Sequence, residues 1–203
     1  MLFIGLTGGI GSGKSEALEA CRRHGAAVLS SDQIVHELLG TSEVRDLLVA
    51  RWGEAVLREE EIDRAAVAQI VFNKPDELRW LEQTLFPLVG AEIAGWRADL
   101  GSVYAPPAEA VVEVPLLFEA GIEKTFDTTI AVVADEEVRA DRAGSREQEA
   151  VDERAARQLP QHEKAVRADH VIHNNGSLED LDRAVAALLD QLRREDAGRM
   201  AAP

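Results

Sequence analysis

The sequence predicts an α/β fold built on a five-stranded parallel sheet flanked by helices, and three observations carry that prediction. Five short segments, Leu2–Leu6, Ala27–Ser30, Ala110–Val114, Thr129–Ala134 and His170–His173, are rich in Val, Ile and Leu without alternation. Strands covered by helices on both faces read this way. Helical patterns separate the five, which requires crossovers and a parallel sheet. Between the first strand and the first helix lies Gly8-Gly9-Ile10-Gly11-Ser12-Gly13-Lys14-Ser15, a G-x-x-x-x-G-K-S loop. Strand, glycine loop and helix are the setting in which that motif cradles phosphate.

The elements follow in order. Ser15 to His24 reads as the first helix, closed by Gly25. Between the second and third strands the chain is too long for one crossover helix. Amphipathic stretches at Gln33–Leu39, Glu43–Trp52, Asp63–Phe72 and Asp76–Leu100 predict an inserted helical subdomain, about residues 33–107. Asp63 and Asp76 are expected N-caps, and Pro75 separates the last two helices. Pro87 is expected to kink or break the longest. The core is then about 1–32, 108–138 and 168–195 of a single 203-residue domain. Ser177-Leu178-Glu179-Asp180 is a capping signal for the last helix, and Ala197–Pro203 reads as a frayed tail.

Composition narrows the function. Hydrophobic residues make up 46% and aromatics 4%, so the core is aliphatic; net charge is −15. That acidity argues against nucleic acid, whose binding needs clustered Lys and Arg, and against an anionic membrane surface. Cys21 is the single cysteine. It excludes an intrachain disulfide and a thiolate zinc site, and reads as a small core residue. With no signal peptide and no apolar run near ~20 residues, the expectation is a cytoplasmic protein, a monomer or weak homo-oligomer. The histidines show no zinc-protease spacing.

The phosphate loop assigns roles to its residues. Backbone N–H groups from Gly8 to Gly13 would surround phosphate oxygens, and the helix N-terminus adds partial positive charge. Lys14 would reach the β- and γ-phosphates of a nucleoside triphosphate, and Ser15 would ligate Mg²⁺. In a parallel sheet, ligands sit beyond the carboxyl ends of the strands, where Asp32, Glu113, Asp135 and Asn174 fall. Asp32 reads either as an acid acting on an attacking hydroxyl or on metal-bound water, or as the N-cap of Gln33–Leu39. Glu113 reads either as a metal-side acid or as a charge satisfied by a neighbouring helix. From Arg139 to Arg167 the chain carries net charge +1. This stretch reads as a solvated face with one or two catalytic arginines, or as a lid over the triphosphate, about residues 139–167.

Together these segments resemble the dephospho-CoA kinase family, from Leu2 to about Leu181. The matching pieces are Ile4–Ser15, Asp32, Ile62-Asp63-Arg64, Val71-Phe72, Leu81-Glu82, Val114-Pro115-Leu116-Leu117-Phe118-Glu119 and Phe126-Asp127. Gln158, Glu163-Lys164, Ala168-Asp169-His170-Val171-Ile172 and Asn174–Leu181 complete them. The resemblance implies a P-loop NTP hydrolase fold with a nucleoside-monophosphate-kinase-like core, and transfer of the γ-phosphoryl of ATP to the ribose 3′-hydroxyl of dephospho-CoA. It implies Asp32 as the general base and Arg139 and Arg142 as lid arginines. The acceptor would meet Asp63, Arg64, Leu116, Leu117 and Glu119, and the adenine would lie at Asn174-Asn175-Gly176. Three departures stand out: Ser30 replaces an acid, Phe86 replaces a histidine before Pro87, and Glu16 replaces a threonine after Ser15. The lid is also a few residues shorter around Ala143-Gly144-Ser145. Another small-metabolite kinase, or a non-enzymatic ATP-binding regulatory module, are the competing readings.

Overall fold

In the computed structural model, described for residues 1–72, 74–143 and 158–201, five parallel strands form one sheet. They are β1 (Leu2–Gly8), β2 (Ala27–Ser30), β5 (Glu109–Glu113), β6 (Thr128–Val133) and β7 (His170–His173), in the order β2-β5-β1-β6-β7. The first strand is therefore the central one. Leu6 pairs with Glu113, the last residue of β5, and Gly8 pairs with Val132 near the end of β6, so three strands finish close to where the phosphate loop begins.

Helix α1 (Lys14–Arg23) and the last helix, α8 (Leu178–Ala201), cover one face. Leu2, Ile4 and Leu6 of β1 point into a core with Ala17, Cys21, Val111, Ile130, Val185 and Leu189. On the opposite face Phe3 stacks on Phe126 with ring centroids 4.9 Å apart. Gly5 leaves room there: a Cβ would come within 3.0 Å of the Phe126 ring. Cys21 is buried in this core, and burial is the main cause that pushes its thiol pKa up to about 12. It is packing, not a nucleophile.

The chain divides into two compact units, residues 1–30 with 99–203, and residues 31–98. The second unit holds α2 (Ser31–Leu39), α3 (Ser42–Trp52), α4 (Arg64–Val71) and most of α5 (Pro75–Ser102). Thr41 caps α3, and Asp63 caps α4 by accepting from Ala65 and Ala66 N–H groups. Glu77 accepts from Arg51 Nε and Nη2 and from the Trp52 indole N–H, at 2.8–3.0 Å, binding α3 to the start of α5.

The structure revises three expectations and adds one element. Helix α5 begins at Pro75, so Asp76 lies in its first turn rather than at its cap, and Pro is well suited to that first position. Of the kink or break expected at Pro87, the break does not occur; buried Leu85, Val89 and Ile93, four residues apart, hold the helix in register through the lost hydrogen bond. Helix α8 continues to Ala201 where a frayed tail was expected. A small antiparallel hairpin, β3 (Leu57–Arg58) with β4 (Glu61–Ile62), was not foreseen. Its turn residues Glu59 and Glu60 have φ of 53° and 68°. That conformation is usually signalled by Asn or Gly, so the sequence carried no cue.

Candidate nucleotide and phosphoryl-transfer site

The phosphate loop is closed by its own backbone and by its lysine. Ser12 N–H donates to Gly9 O at 3.2 Å, and Lys14 Nζ donates to the same carbonyl at 2.9 Å. Gly13 has φ 88°, and a Cβ there would run into the Asn174 amide. Gly11 has φ 75°, with Arg139 O lying 2.9 Å from where a Cβ would stand. The Ser12 hydroxyl is wholly buried without a partner among the described residues. A buried polar group of that kind inside a loop of inward N–H groups suits an oxygen-rich ligand.

Ser15 and Glu113 meet at the end of β5. Ser15 Oγ donates to Glu113 Oε1 at 3.3 Å, and Glu113 is 6% exposed. Both are hard oxygen donors. Among the described residues no group of three or more His, Cys, Asp or Glu could hold a metal ion. A cation bound at this pair would therefore draw its other ligands from phosphate and water, as Mg²⁺ does.

Both arginines expected in the lid lie on α6 (Glu136–Ala143) and reach the phosphate loop region. Arg139 Nε donates to Ile10 O at 2.9 Å while Nη1 pairs with Glu136 at 2.7 Å. Arg142 Nη1 donates to Asn174 O at 3.1 Å. Residues 144–157 of the expected lid, including Gly144, Ser145, Arg146, Arg154 and Arg157, lie outside the described residues.

Asn174 and Asn175 have structural tasks that the sequence did not suggest. Asn174 is 4% exposed, and its Nδ2 donates to Ser12 O at 2.9 Å. Asn175 Oδ1 accepts from Asp135 N–H at 2.7 Å, tying the end of β7 to that of β6. Glu16 is exposed in the first turn of α1. It lines a surface recess with Arg23, Leu178, Glu179, Asp182 and Arg183.

In the segment after β5, Leu117 is fully buried and packs near Gly5, so it offers no surface to a ligand; Leu116 is half-buried. Glu119 does not point freely outward. Its Oε1 accepts from Leu159 N–H at 2.7 Å and from Lys164 Nζ at 2.9 Å, and its buried Oε2 has no partner among the described residues. Lys164, on helix α7 (Gln161–Arg167), is 0% exposed. It was expected on a solvated or lid face and is instead in the interior. Burial lowers its pKa, and the hydrogen bond and charge of Glu119 oppose that shift.

In the second unit, Asp32 is exposed at the second position of α2. The helix already begins at Ser31, so Asp32 is not its N-cap. Asp63 is occupied as a cap, and Arg64 Nη1 meets His36 Nδ1 at 2.6 Å. Phe86 is 43% exposed. Sequence reasoning missed Gln161, whose amide makes two bonds to the Ala134 backbone, at 2.7 and 3.2 Å. Lys164 was expected only as a charge of the basic stretch and a matching piece of the family; a lysine in a short polar helix does not signal burial.

A parallel sheet with a phosphate loop leaving its central strand defines a P-loop protein of the α/β class. More narrowly, the chain belongs to the dephospho-CoA kinase family, whose model matches residues 2–180. It is a kinase by that membership. A dephospho-CoA kinase of Synechococcus sp. (strain CC9902) is 40% identical, over 92% of this chain and 94% of that relative. Two solved structures have the same fold. TT1252 from Thermus thermophilus is 36% identical with a TM-score of 0.77, covering 94% of this chain and 97% of its own. The dephospho-CoA kinase from Campylobacter jejuni is 25% identical with a TM-score of 0.70, covering 96% and 98%. Among the described residues no helix is long and apolar enough to cross a membrane.

Proposed function

We propose that the chain transfers the γ-phosphoryl group of ATP to the ribose 3′-hydroxyl of dephospho-CoA, giving coenzyme A and ADP. The observation that carries this reading is the Ser15–Glu113 contact of 3.3 Å directly behind the phosphate loop, in a chain of the dephospho-CoA kinase family. Ser15 and Glu113 are the pair that would hold Mg²⁺. When bound, that ion would neutralise charge on the β- and γ-oxygens.

The residues divide the remaining work. Lys14 and the loop N–H groups, with Glu16 beside them in the first turn, bind and orient the donor. Arg139 and Arg142 supply positive charge for a transition state whose negative charge is spread over the transferred group. Asp32 takes the proton of the attacking hydroxyl; its freedom from capping and its exposure support that role. Asn174 and Asn175 border the adenine. Leu116 and Glu119 bind the acceptor from the first unit, and Asp63 and Arg64 are acceptor contacts of the second.

ADP release measured with and without dephospho-CoA tests the proposal. Turnover should depend on dephospho-CoA and vanish in Lys14→Ala. ADP release indifferent to dephospho-CoA would overturn it.

A further inference from the structure

We propose that Lys164 is a positioning residue, whose buried ammonium holds the acceptor-side segment 115–119 against the strand that leads into the phosphate loop. This rests on the phosphoryl-transfer reading above and adds a residue to it.

The argument begins at one carbonyl. Pro115 O accepts from Lys164 Nζ at 2.5 Å and from Thr7 Oγ1 at 3.3 Å. Thr7 is the penultimate residue of β1, immediately before the loop glycines. The next residue back, Val114, is also tied there, its N–H donating to Leu6 O at 2.8 Å. Lys164 then reaches Glu119 Oε1 at 2.9 Å, so it grips the segment on both sides of Leu116. Its own helix is fixed one turn earlier by the two bonds from Gln161 to Ala134, at the end of β6. Gln161 Cβ also lies 3.4 Å from where a Cβ on Gly9 would stand. A single short helix thus touches the ends of β5 and β6 and the wall of the phosphate loop.

Stability alone is a weak reason for this arrangement. A buried ion pair is often replaced by apolar side chains of similar volume at no loss, and lysine is almost never fully buried unless paired. An apolar side chain cannot hold a carbonyl and a carboxylate in fixed relation. Phosphoryl transfer is sensitive to such placement: a displacement of about 1 Å can cost up to ~10²-fold in rate.

The deciding variant is Lys164→Met with Glu119→Gln, which removes both charges and keeps volume. ADP release at saturating ATP and dephospho-CoA is divided by the folded fraction from circular dichroism. The expected result is kcat lower by about tenfold or more, with nucleotide-induced thermal stabilisation retained. A kcat within about twofold of the parent would make Lys164 packing only, and would overturn the proposal while leaving the phosphoryl-transfer reading intact. Should the double variant not fold, Glu119→Gln alone decides. It leaves Lys164 with neutral partners, so the alkaline limb of the kcat–pH profile should move to lower pH. An unmoved limb overturns the proposal. A parent chain with no dephospho-CoA-dependent turnover overturns both readings together.

Discussion

The Asn174 side-chain amide donates to the Ser12 carbonyl at 2.9 Å, joining the end of β7 to the interior of the phosphate loop. Both residues are buried, so the bond substitutes for water that cannot reach the carbonyl. Asn174→Leu would leave that acceptor unpaired, at about 1–3 kcal/mol. In a chain of this size the melting temperature should fall by roughly 2–4 °C per kcal/mol. ATP affinity should weaken by about tenfold, the equivalent of ~1.4 kcal/mol, as titration calorimetry would measure. An unchanged affinity would mean the loop keeps its shape without the strut.

Asp32→Asn separates chemistry from binding. It keeps size and polarity and removes the proton acceptor, so kcat should fall by about 10²–10⁴. Thermal stabilisation by ATP should be kept, since Asp32 lies outside the phosphate loop. Full turnover in the Asn variant would remove Asp32 from the base role alone.

Glu16 carries negative charge in the first turn of α1, immediately after Ser15. A carboxylate there gains about 0.3–1 kcal/mol from the helix N-terminus and competes with a phosphate for the same field. Glu16→Thr should therefore tighten ATP by roughly two- to fivefold, the equivalent of about 0.4–1 kcal/mol, at slight cost to thermal stability. Equal affinity in the two proteins would show that the carboxylate, facing the recess with Arg23 and Arg183, does not influence the donor.

Arg193 forks onto Glu109 at 2.6 and 3.0 Å and donates to His24 O at 3.0 Å. Glu109 is 1% exposed at the start of β5. Removing only the cation leaves a buried charge, which costs about 3–5 kcal/mol. Arg193→Met should unfold well below the parent in a thermal scan, and adding Glu109→Gln should recover much of the loss. Failure of the second change to help would locate the cost in packing of the arginine stem.

Asp169 gives a pH signature. Burial alone would raise its pKa, but the bonds from Thr129 Oγ1 and N–H and from Thr128 Oγ1, with nearby His170, together pull it below the ordinary value. A carboxyl depressed in the folded state stabilises above the unfolded pKa of about 3.9. That stabilisation is lost as pH falls through the lower folded value. Urea unfolding followed from pH 6 downward should show Asp169→Asn to be destabilised at the upper end. The gap to the parent should shrink only below about pH 4. A gap constant across the range would assign the loss to geometry rather than charge.

Much of this was legible because parallel strands leave short apolar runs that do not depend on context. All five strands lie where Val, Ile and Leu cluster, with ends displaced by two residues or fewer. Boundaries slip because pairing, not side-chain type, ends a strand: Glu109 begins β5 only because it pairs with Leu2. The phosphate loop was legible because its glycines answer to φ and to close approach. The struts were not. Asn174 and Lys164 are buried, and Gln161 half-buried, by contacts with segments distant in the chain, and a linear pattern counts all three as exposed.

The sheet order has a consequence for how the chain is made. β1 is flanked by β5 and β6, which follow it by more than a hundred positions. Until both have left the ribosome, the strand carrying the phosphate loop has two unpaired hydrogen-bonding edges and an apolar face. Such distant pairings slow folding and leave transient edges prone to aggregation. The ligand-binding loop is then the last region to acquire its walls, so nucleotide added during refolding should act late, capturing the finished sheet rather than nucleating it.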